Sequence, residues 1–256
     1  MQMKSVLRDR LGLTGYHKLK QLAYAFYGFA WRGDLVRLGR LLNSDKATFH
    51  SYAKHYQHHF APFQYKRLVI LEIGIGGYRD PTAGGESLRM WKAFFPRARI
   101  YGLDIYDKSF HDERRIKTFQ GSQDDEDFLR YVVSEIGPID IIIDDGSHVN
   151  THVINTFRFL FPVLKDGGIY AIEDLQTSYW DDTFGGWGGS QDLRAPHTSM
   201  NFLKALVDGL NYQEYLAVDY EPSIFDRMIS SIHFYHNLAF VCKGINDEPS
   251  NRSLFA

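Results

Sequence analysis

The chain has 256 residues, a single cysteine and a formal net charge of −2 at pH 7. This length is sufficient for one large α/β domain with a buried core. The near-neutral charge excludes a general attraction to nucleic acid or anionic lipid. Because of this charge, we expect no nucleic-acid partner. One cysteine excludes an intrachain disulfide framework and a multi-cysteine zinc site, so we expect a cytoplasmic protein.

Charged residues recur through positions 4–20, and no stretch approaches the roughly 20 apolar residues that cross a bilayer. We therefore predict neither a signal peptide nor a membrane span. The basic residues scattered between positions 4 and 40 are interpreted as solvated helix faces rather than a nucleic-acid patch. The apolar segment 21–31 favours a core-packing or dimer-forming helix over an interfacial one, and for this reason we expect a homo-oligomer.

From residue 66 to residue 174, short β-branched runs alternate with longer amphipathic segments. This alternation is typical of βαβ units and a parallel sheet. The predicted strands cover 67–74, 98–105, 115–121, 139–145 and 167–174, and the predicted helices cover 86–95, 124–136 and 155–164.

After residue 174 the composition changes to a glycine-rich, aromatic segment, 175–192, which we interpret as a mobile loop. A helix is predicted over 198–216, and two strands that reverse around Tyr235 to Asn237 are predicted within 231–244. The fold class is therefore α/β, with a doubly wound, mostly parallel seven-stranded sheet and an antiparallel C-terminal strand. We divide the chain into a helical N-terminal extension, a sheet domain and a tail, with bounds at 1–65, 66–244 and 245–256.

A glycine-rich turn, Gly74 to Gly77, follows Glu72 at the end of the first predicted strand, where open α/β sheets bind their ligands. Arg79 replaces the third glycine of the dinucleotide-binding pattern, which weakens a nicotinamide assignment. Asp104 ends the second strand, where a carboxylate can accept hydrogen bonds from both ribose hydroxyls of an adenosine or can cap a turn. The segment 121–125 after strand three can contact an adenine edge or cap a helix.

Four carboxylates follow two predicted strands, at Asp144, Asp145, Glu173 and Asp174. Their mutual repulsion at one sheet edge would be costly without a bound cation. Oxygen ligands without cysteine suit a hard ion, Mg²⁺ before Mn²⁺ or Ca²⁺. The alternative is that the carboxylates cap loops and are solvated by water.

His148 lies three residues after Asp145, close enough to overhang the same pocket. A histidine there can remove a hydroxyl proton near neutral pH, although an isolated histidine more often serves in capping or packing. His152 is the second candidate for this role.

Several motifs together closely resemble the metal-dependent sugar O-methyltransferases typified by the mycinamicin and macrocin enzymes, which use S-adenosylmethionine. These motifs are LEIGIGGY at 71–78, GGESLRMW at 84–91, LDIYDK at 103–108, IIIDDGSH at 141–148 and IEDLQTSYW at 172–180. The resemblance covers about 44–180 well and the C-terminal third more loosely. One departure is that about 65 residues precede strand one here, whereas the macrolide enzymes carry a large N-terminal domain.

The resemblance implies Mg²⁺ ligation by Asp145, Glu173 and Asp174, and proton removal by His148. It implies that S-adenosylmethionine lies near Glu72, Gly74, Ser87, Asp104, Ser122 and Gln123, with Asp144 supporting the strand or the cofactor. The implied acceptor is a sugar hydroxyl of a macrolide deoxysugar, a mannoside or a rhamnoside, in a natural product, glycolipid or polysaccharide. Aromatic residues of 175–192 can stack on such a ring. The alternatives are a nicotinamide-dependent oxidoreductase and a binding protein with a relic site.

Overall fold

The computed structural model describes residues 28–216 and 219–254, together with Gly12, Gly15 and Phe26. Much of the basic N-terminal stretch and most of the apolar segment 21–31 lie outside these described residues. Within the described part of the chain, no helix is long and apolar enough to cross a membrane.

The chain forms two compact units. The first comprises the described residues up to Lys66 together with Gly85–Ala98, and the second comprises Arg67–Gly84 and the described residues from Arg99 onward. Gly85–Ala98 falls within the predicted sheet domain, 66–244, and these domain bounds stay a prediction.

The first unit contains short helices packed around aromatic side chains. Its helices are α1 (Leu35–Leu42), α2 (Asp45–Thr48), α3 (Ala53–Phe60) and α4 (Glu86–Phe94). Asp34 caps α1 by accepting a hydrogen bond from the backbone N–H of Arg37. The fully buried ring of Trp91 lies with its centroid 5.0 Å from Tyr56 and 5.6 Å from Phe60. These contacts form the core of this unit.

The second unit contains a seven-stranded sheet in the order β3-β2-β1-β4-β5-β7-β6. Its strands are β1 (Val69–Ile73), β2 (Arg99–Asp104), β3 (Ile116–Gln120), β4 (Ile139–Asp144), β5 (Leu164–Ile172), β6 (Ile229–Tyr235) and β7 (Leu238–Lys243). The first five strands pair in parallel, and β7 pairs antiparallel to both β5 and β6. The predicted mostly parallel, seven-stranded fold is confirmed.

The helices of the second unit are α5 (Glu126–Ile136), α6 (Asn150–Leu160), α7 (Ser199–Gly209) and α8 (Ile224–Met228). One core cluster contains Leu129 and Val132 of α5 with Phe157 and Leu160 of α6. Every residue of β1 is buried, as expected for a central parallel strand. The sheet is therefore a rigid base for the loops at its carboxyl edge.

The prediction of a helix over 155–164 is wrong in its bounds, because α6 begins at Asn150 and ends at Leu160. Pro162 cannot continue a helix as a hydrogen-bond donor, and β5 begins at Leu164. The predicted helix over 198–216 also ends early, at Gly209, and is followed by a 3₁₀ turn at Tyr212–Glu214.

Candidate active site

The carboxyl ends of β1, β4 and β5 lie side by side at one edge of the sheet. Ile73 pairs with Asp144, and Asp144 pairs with Ile172. The residues that follow these positions therefore leave the sheet at the same level. The backbone N–H of Glu173 donates to the carbonyl of Asp144 at 2.9 Å, which extends the pairing one step beyond the strands.

Asp145, His148 and Asp174 form a cluster at this edge. One ligand atom from each side chain lies within 4.8 Å of the others. The Nε2 atom of His148 is 3.9 Å from Asp145 Oδ1 and 3.7 Å from Asp174 Oδ2, and all three side chains are partly buried. Two carboxylates in so small a space favour a bound cation, and carboxylate oxygens suit Mg²⁺ better than an imidazole does.

Two members of the cluster have left-handed backbone conformations. His148 has φ of 57° and Asp174 has φ of 53°. This conformation costs a non-glycine residue about 1–2 kcal/mol, and such costs persist mainly where the surroundings enforce them at functional sites. The hydroxyl of Ser147 accepts from the backbone N–H of Val149 at 3.3 Å, and the carbonyl of Asn237 accepts from Leu175 at 3.1 Å. These bonds hold both turns on either side of the cluster.

Glu173 lies between these turns but outside the three-residue cluster. Its side chain is buried, with 3% exposure. Among the described residues, the cluster thus brings together two of the three predicted metal ligands and the predicted base. Ligation by Glu173 stays a prediction.

The glycine-rich turn after β1 is held by Asp104. The Oδ2 atom of Asp104 accepts from the backbone N–H of Ile75 at 2.9 Å, and Oδ1 accepts from Tyr106 at 2.9 Å. A carboxylate has about four lone-pair sites, so both oxygens can still accept bonds from ribose hydroxyls. Gly74, with φ of 84°, donates to the carbonyl of Leu103 at 2.8 Å. Asp104 therefore holds the glycine-rich turn, and its predicted contact with the ribose hydroxyls stays a prediction.

Gln123 and Asp144 point into the interior. The Nε2 atom of Gln123 donates to Asp144 Oδ1 at 3.1 Å, and the Tyr170 hydroxyl donates to Asp144 Oδ2 at 3.2 Å. Burial raises the pKa of Asp144 to about 6, against the opposing effect of His148 and of these two hydrogen bonds. Ser122 begins the turn before α5, where its hydroxyl accepts from the backbone N–H of Asp124 at 3.2 Å.

The two remaining predicted cofactor residues are both buried. Glu72 is fully buried within β1. Ser87 is the second residue of α4, in the first unit, and is also buried. Their roles in cofactor binding stay predictions.

Sequence reasoning missed Lys108, whose side chain is 1% exposed. Its Nζ atom donates to the carbonyls of Asp80 and Ala83 at 2.7 and 3.2 Å, and His111 Nε2 lies 3.1 Å from the Ala83 carbonyl. The two side chains fix the segment that continues the glycine-rich turn. The available signal was the position of Lys108 in the LDIYDK motif.

Comparison with known proteins gives close relatives. No family model matches the chain. It is 50% identical over 217 residues to mycinamicin VI 2''-O-methyltransferase of Micromonospora griseorubida, across 84% of this chain and 54% of the relative. It is 50% identical over 204 residues to 8-demethyl-8-alpha-L-rhamnosyl tetracenomycin-C 2'-O-methyltransferase of Streptomyces olivaceus, across 79% of this chain and 53% of the relative. The chain belongs to the sugar O-methyltransferase family.

The solved structure of a family member, the MycE methyltransferase of mycinamycin biosynthesis in complex with Mg, SAH and mycinamycin VI, has the same fold. It superimposes with a TM-score of 0.79 at 47% identity, over 84% of this chain and 55% of that one. This chain therefore spans about half the length of the relatives that it matches. The oxidoreductase alternative finds no support among these family members.

In the present chain, the aromatic segment 175–192 folds back on itself. It contains 3₁₀ turns at Leu175–Tyr179 and Asp182–Phe184. The Trp180 ring centroid lies 5.1 Å from that of Phe184 and 5.3 Å from that of Trp187. Phe184 is 63% exposed, so this aromatic cluster presents an apolar surface to solvent.

Asn150, a second residue missed from the sequence, anchors this loop to the start of α6. Its Nδ2 atom donates to the carbonyls of Trp187 at 2.9 Å and Thr177 at 3.2 Å. Its Oδ1 atom accepts from Ser178 Oγ at 3.0 Å and from the backbone N–H of Ser199 at 2.7 Å. Because Asn150 is two residues from His148, it ties the loop to the turn of the predicted base.

We expect Asn150→Ala to lower the free energy of unfolding, because it removes the buried hydrogen bonds of this amide, each worth about 0.5–1.5 kcal/mol. Chemical denaturation would measure this loss, with Asn155→Ala as the matched control on the same helix. Asn155 makes one exposed bond, to Asp124 at 3.1 Å. Equal stability of the two variants would contradict an anchoring role for Asn150.

Proposed function

We propose that this chain is an S-adenosylmethionine-dependent, Mg²⁺-dependent O-methyltransferase that acts on a sugar hydroxyl of a glycosylated natural product, glycolipid or polysaccharide. One observation carries the proposal. Asp145, His148 and Asp174 converge beside the glycine-rich turn in a chain 50% identical to a sugar O-methyltransferase. The MycE relative has Mg and SAH in the corresponding fold.

The metal would be held by Asp145, Glu173 and Asp174. The donor set fits, because the first and last of these place carboxylate oxygens within 4.8 Å of each other at the end of adjacent strands. Glu173 is assigned from the family resemblance and from its position between Asp144 and Asp174. Bound Mg²⁺ would lower the pKa of a coordinated acceptor hydroxyl.

The cofactor would lie along the neighbouring edge of the sheet. The residues proposed to surround it are Glu72, Gly74, Ser87, Asp104, Ser122, Gln123 and Asp144. The turn supported by Asp104 exposes backbone groups that can approach a ligand closely, since glycines there carry no side chain. S-adenosylmethionine supplies an electrophilic methyl group, and transfer then requires mainly alignment with the attacking oxygen.

His148 would remove the proton of the acceptor hydroxyl through Nε2. The carboxylates of Asp145 and Asp174, at 3.9 and 3.7 Å from this atom, would stabilise the imidazolium that results. The bonds from Val149 to the Ser147 hydroxyl and from Leu175 to the Asn237 carbonyl hold the two turns of the cluster, which would orient the imidazole before the acceptor arrives. The deprotonated sugar oxygen would then bond to the methyl carbon as the carbon–sulfur bond breaks, with S-adenosylhomocysteine as the leaving group.

The acceptor sugar would stack on the aromatic cluster of Trp180, Phe184 and Trp187. Aromatic side chains pack well against the apolar face of a sugar ring. The loop is tied to Asn150 through the carbonyl of Trp187, which places the aromatic cluster near the catalytic turn. We propose a rhamnoside, mannoside or macrolide deoxysugar as the acceptor.

Exposure of Phe26 (71%) and Phe29 (72%) supports a homo-oligomer.

Metal dependence tests this proposal. We expect EDTA to stop methyl transfer from labelled S-adenosylmethionine to a panel of rhamnosides, mannosides and macrolide glycosides, and Mg²⁺ to restore it. Asp145→Ala should lose Mg²⁺ binding in calorimetry, because it removes one carboxylate of the cluster. Asp166→Ala, which removes an exposed carboxylate elsewhere on β5, is the matched control. Full activity in EDTA would remove the metal from the mechanism.

A further inference from the structure

We propose that the side chain of Gln123 is a positioning residue that holds the loop 145–148 from the cofactor side of the site. This inference rests on the proposed function, since its purpose is to place Asp145 and His148. It differs from a direct contact of the Gln123 side chain with the cofactor.

All polar atoms of the Gln123 amide are used within the protein. Its Oε1 accepts from the backbone N–H of Ser147 at 2.6 Å, and its Nε2 donates to Asp144 Oδ1 and Thr156 Oγ1, both at 3.1 Å. The side chain is 6% exposed. A buried amide with all of these bonds made has one preferred orientation, because turning it over would oppose donors to donors.

The bond to Ser147 lies in the middle of the loop that carries the cluster. Asp145 is two residues before Ser147, and His148 is the next residue. Fixing the Ser147 backbone therefore limits the positions of both side chains. The left-handed conformation of His148, with φ of 57°, needs such external support because it is intrinsically unfavourable.

Gly146 shows how closely the loop packs on Gln123. A Cβ atom added at Gly146 would lie 2.0 Å from Gln123 Oε1 and 2.9 Å from Ile73 Cγ2. No residue larger than glycine fits there unless the amide moves. The loop therefore packs directly against the Gln123 amide, with no space between them for a side chain.

The backbone just before Gln123 is hydrogen-bonded to the predicted cofactor edge of the sheet. Gly121 donates to the carbonyl of Asp104 at 2.9 Å, and the carboxylate of Asp104 holds the glycine-rich turn. Gln123 follows Gly121 by two residues. The hydroxyl of Thr156 on α6 lies 3.1 Å from the backbone carbonyl of Gln123 and 2.6 Å from that of His152. Gln123 thus joins the predicted ribose-binding edge to the metal-binding loop.

Calorimetry on the full chain with Mg²⁺ alone, and separately with S-adenosylhomocysteine, tests this role in Gln123→Met. Methionine matches glutamine in length but makes none of the three bonds. We expect Mg²⁺ affinity to fall about tenfold or more, as for other residues that orient metal ligands, and S-adenosylhomocysteine affinity to fall by less. Tyr170→Phe is the matched control, because it removes the other side-chain bond to Asp144 but keeps the bond to Ser147.

Three results would overturn the inference: unchanged Mg²⁺ affinity in folded Gln123→Met, loss of S-adenosylhomocysteine binding alone, or an equal loss of Mg²⁺ affinity in Tyr170→Phe. Gly146→Ala perturbs the same contact from the loop side and should weaken Mg²⁺ binding as well. It provides the test if thermal unfolding shows that Gln123→Met does not fold. Failure of the unsubstituted chain to bind Mg²⁺ would instead count against the proposed function.

Discussion

Replacing His148 with alanine is expected to lower kcat for sugar methylation by roughly 10²–10⁴-fold, the usual contribution of a general base. Mg²⁺ and S-adenosylhomocysteine should still bind. The expectation follows from the position of His148 Nε2, which faces the carboxylates of Asp145 and Asp174. These oxygens can hold the ion without the imidazole, whose removal takes away the proposed acceptor of the hydroxyl proton. Single-turnover kinetics and calorimetry on the same preparation would measure both effects.

His152→Ala is the matched control for this experiment. His152 lies one helical turn away, with Nδ1 3.1 Å from Ser147 Oγ and Nε2 3.5 Å from Asp124 Oδ2. It was the second candidate for the base, yet it is not a member of the carboxylate cluster. If His148→Ala also loses Mg²⁺, the imidazole is a ligand and not the base. If His152→Ala is the inactive variant, the proton acceptor is His152.

The sheet could be predicted from the sequence because its signals are local. β1 and β4 are nearly continuous apolar runs, which are typical of strands buried on both faces. Gly74 follows β1, and Asp144 ends β4. Parallel pairing then places the ends of such strands at one edge. This rule alone brings Asp145 close to Asp174, although 29 positions separate them in the sequence.

The remaining features depend on contacts between distant residues, which no periodicity records. The anchoring role of Asn150 was missed because its partners, Trp187 and Ser199, lie far along the chain. Gln123 was predicted to contact the cofactor or to cap a helix, since a glutamine side chain can point either way from a turn. The structure shows its amide directed at Ser147 and Asp144, a choice set by the fit of Gly146 against it.

Glu173 is predicted to bind the metal from its position in the sequence and from the family resemblance. The sequence places it beside Asp174 after β5, and the family resemblance makes it a ligand. In the structure both residues follow the end of β5, and of the two only Asp174 joins the described cluster. The left-handed turn at Asp174 changes the direction of the chain at this point. Measurement of Mg²⁺ affinity in Asp145→Ala does not depend on how Glu173 is assigned.

Gly74→Ala is expected to remove both Mg²⁺ and S-adenosylhomocysteine binding. A Cβ atom at this position would lie 2.0 Å from the carbonyl oxygen of Asp145 and 2.9 Å from Gly146 Cα. Because these atoms belong to the backbone, rotation of a side chain cannot relieve the overlap. The glycine-rich turn and the metal-binding loop would have to separate, at a cost of about 1–3 kcal/mol for such overpacking. Calorimetry with each ligand would measure the loss.

Gly137→Ala separates this clash from the general cost of alanine at positive φ. Gly137 has φ of 76°, close to the 84° of Gly74, but a Cβ atom there would meet nothing within 4 Å. Both variants should lose about 1–3 kcal/mol of unfolding free energy because alanine is strained at positive φ. Only Gly74→Ala should lose more and fail to bind either ligand. Normal ligand binding by Gly74→Ala would mean that the close approach of the two loops is not required for the site.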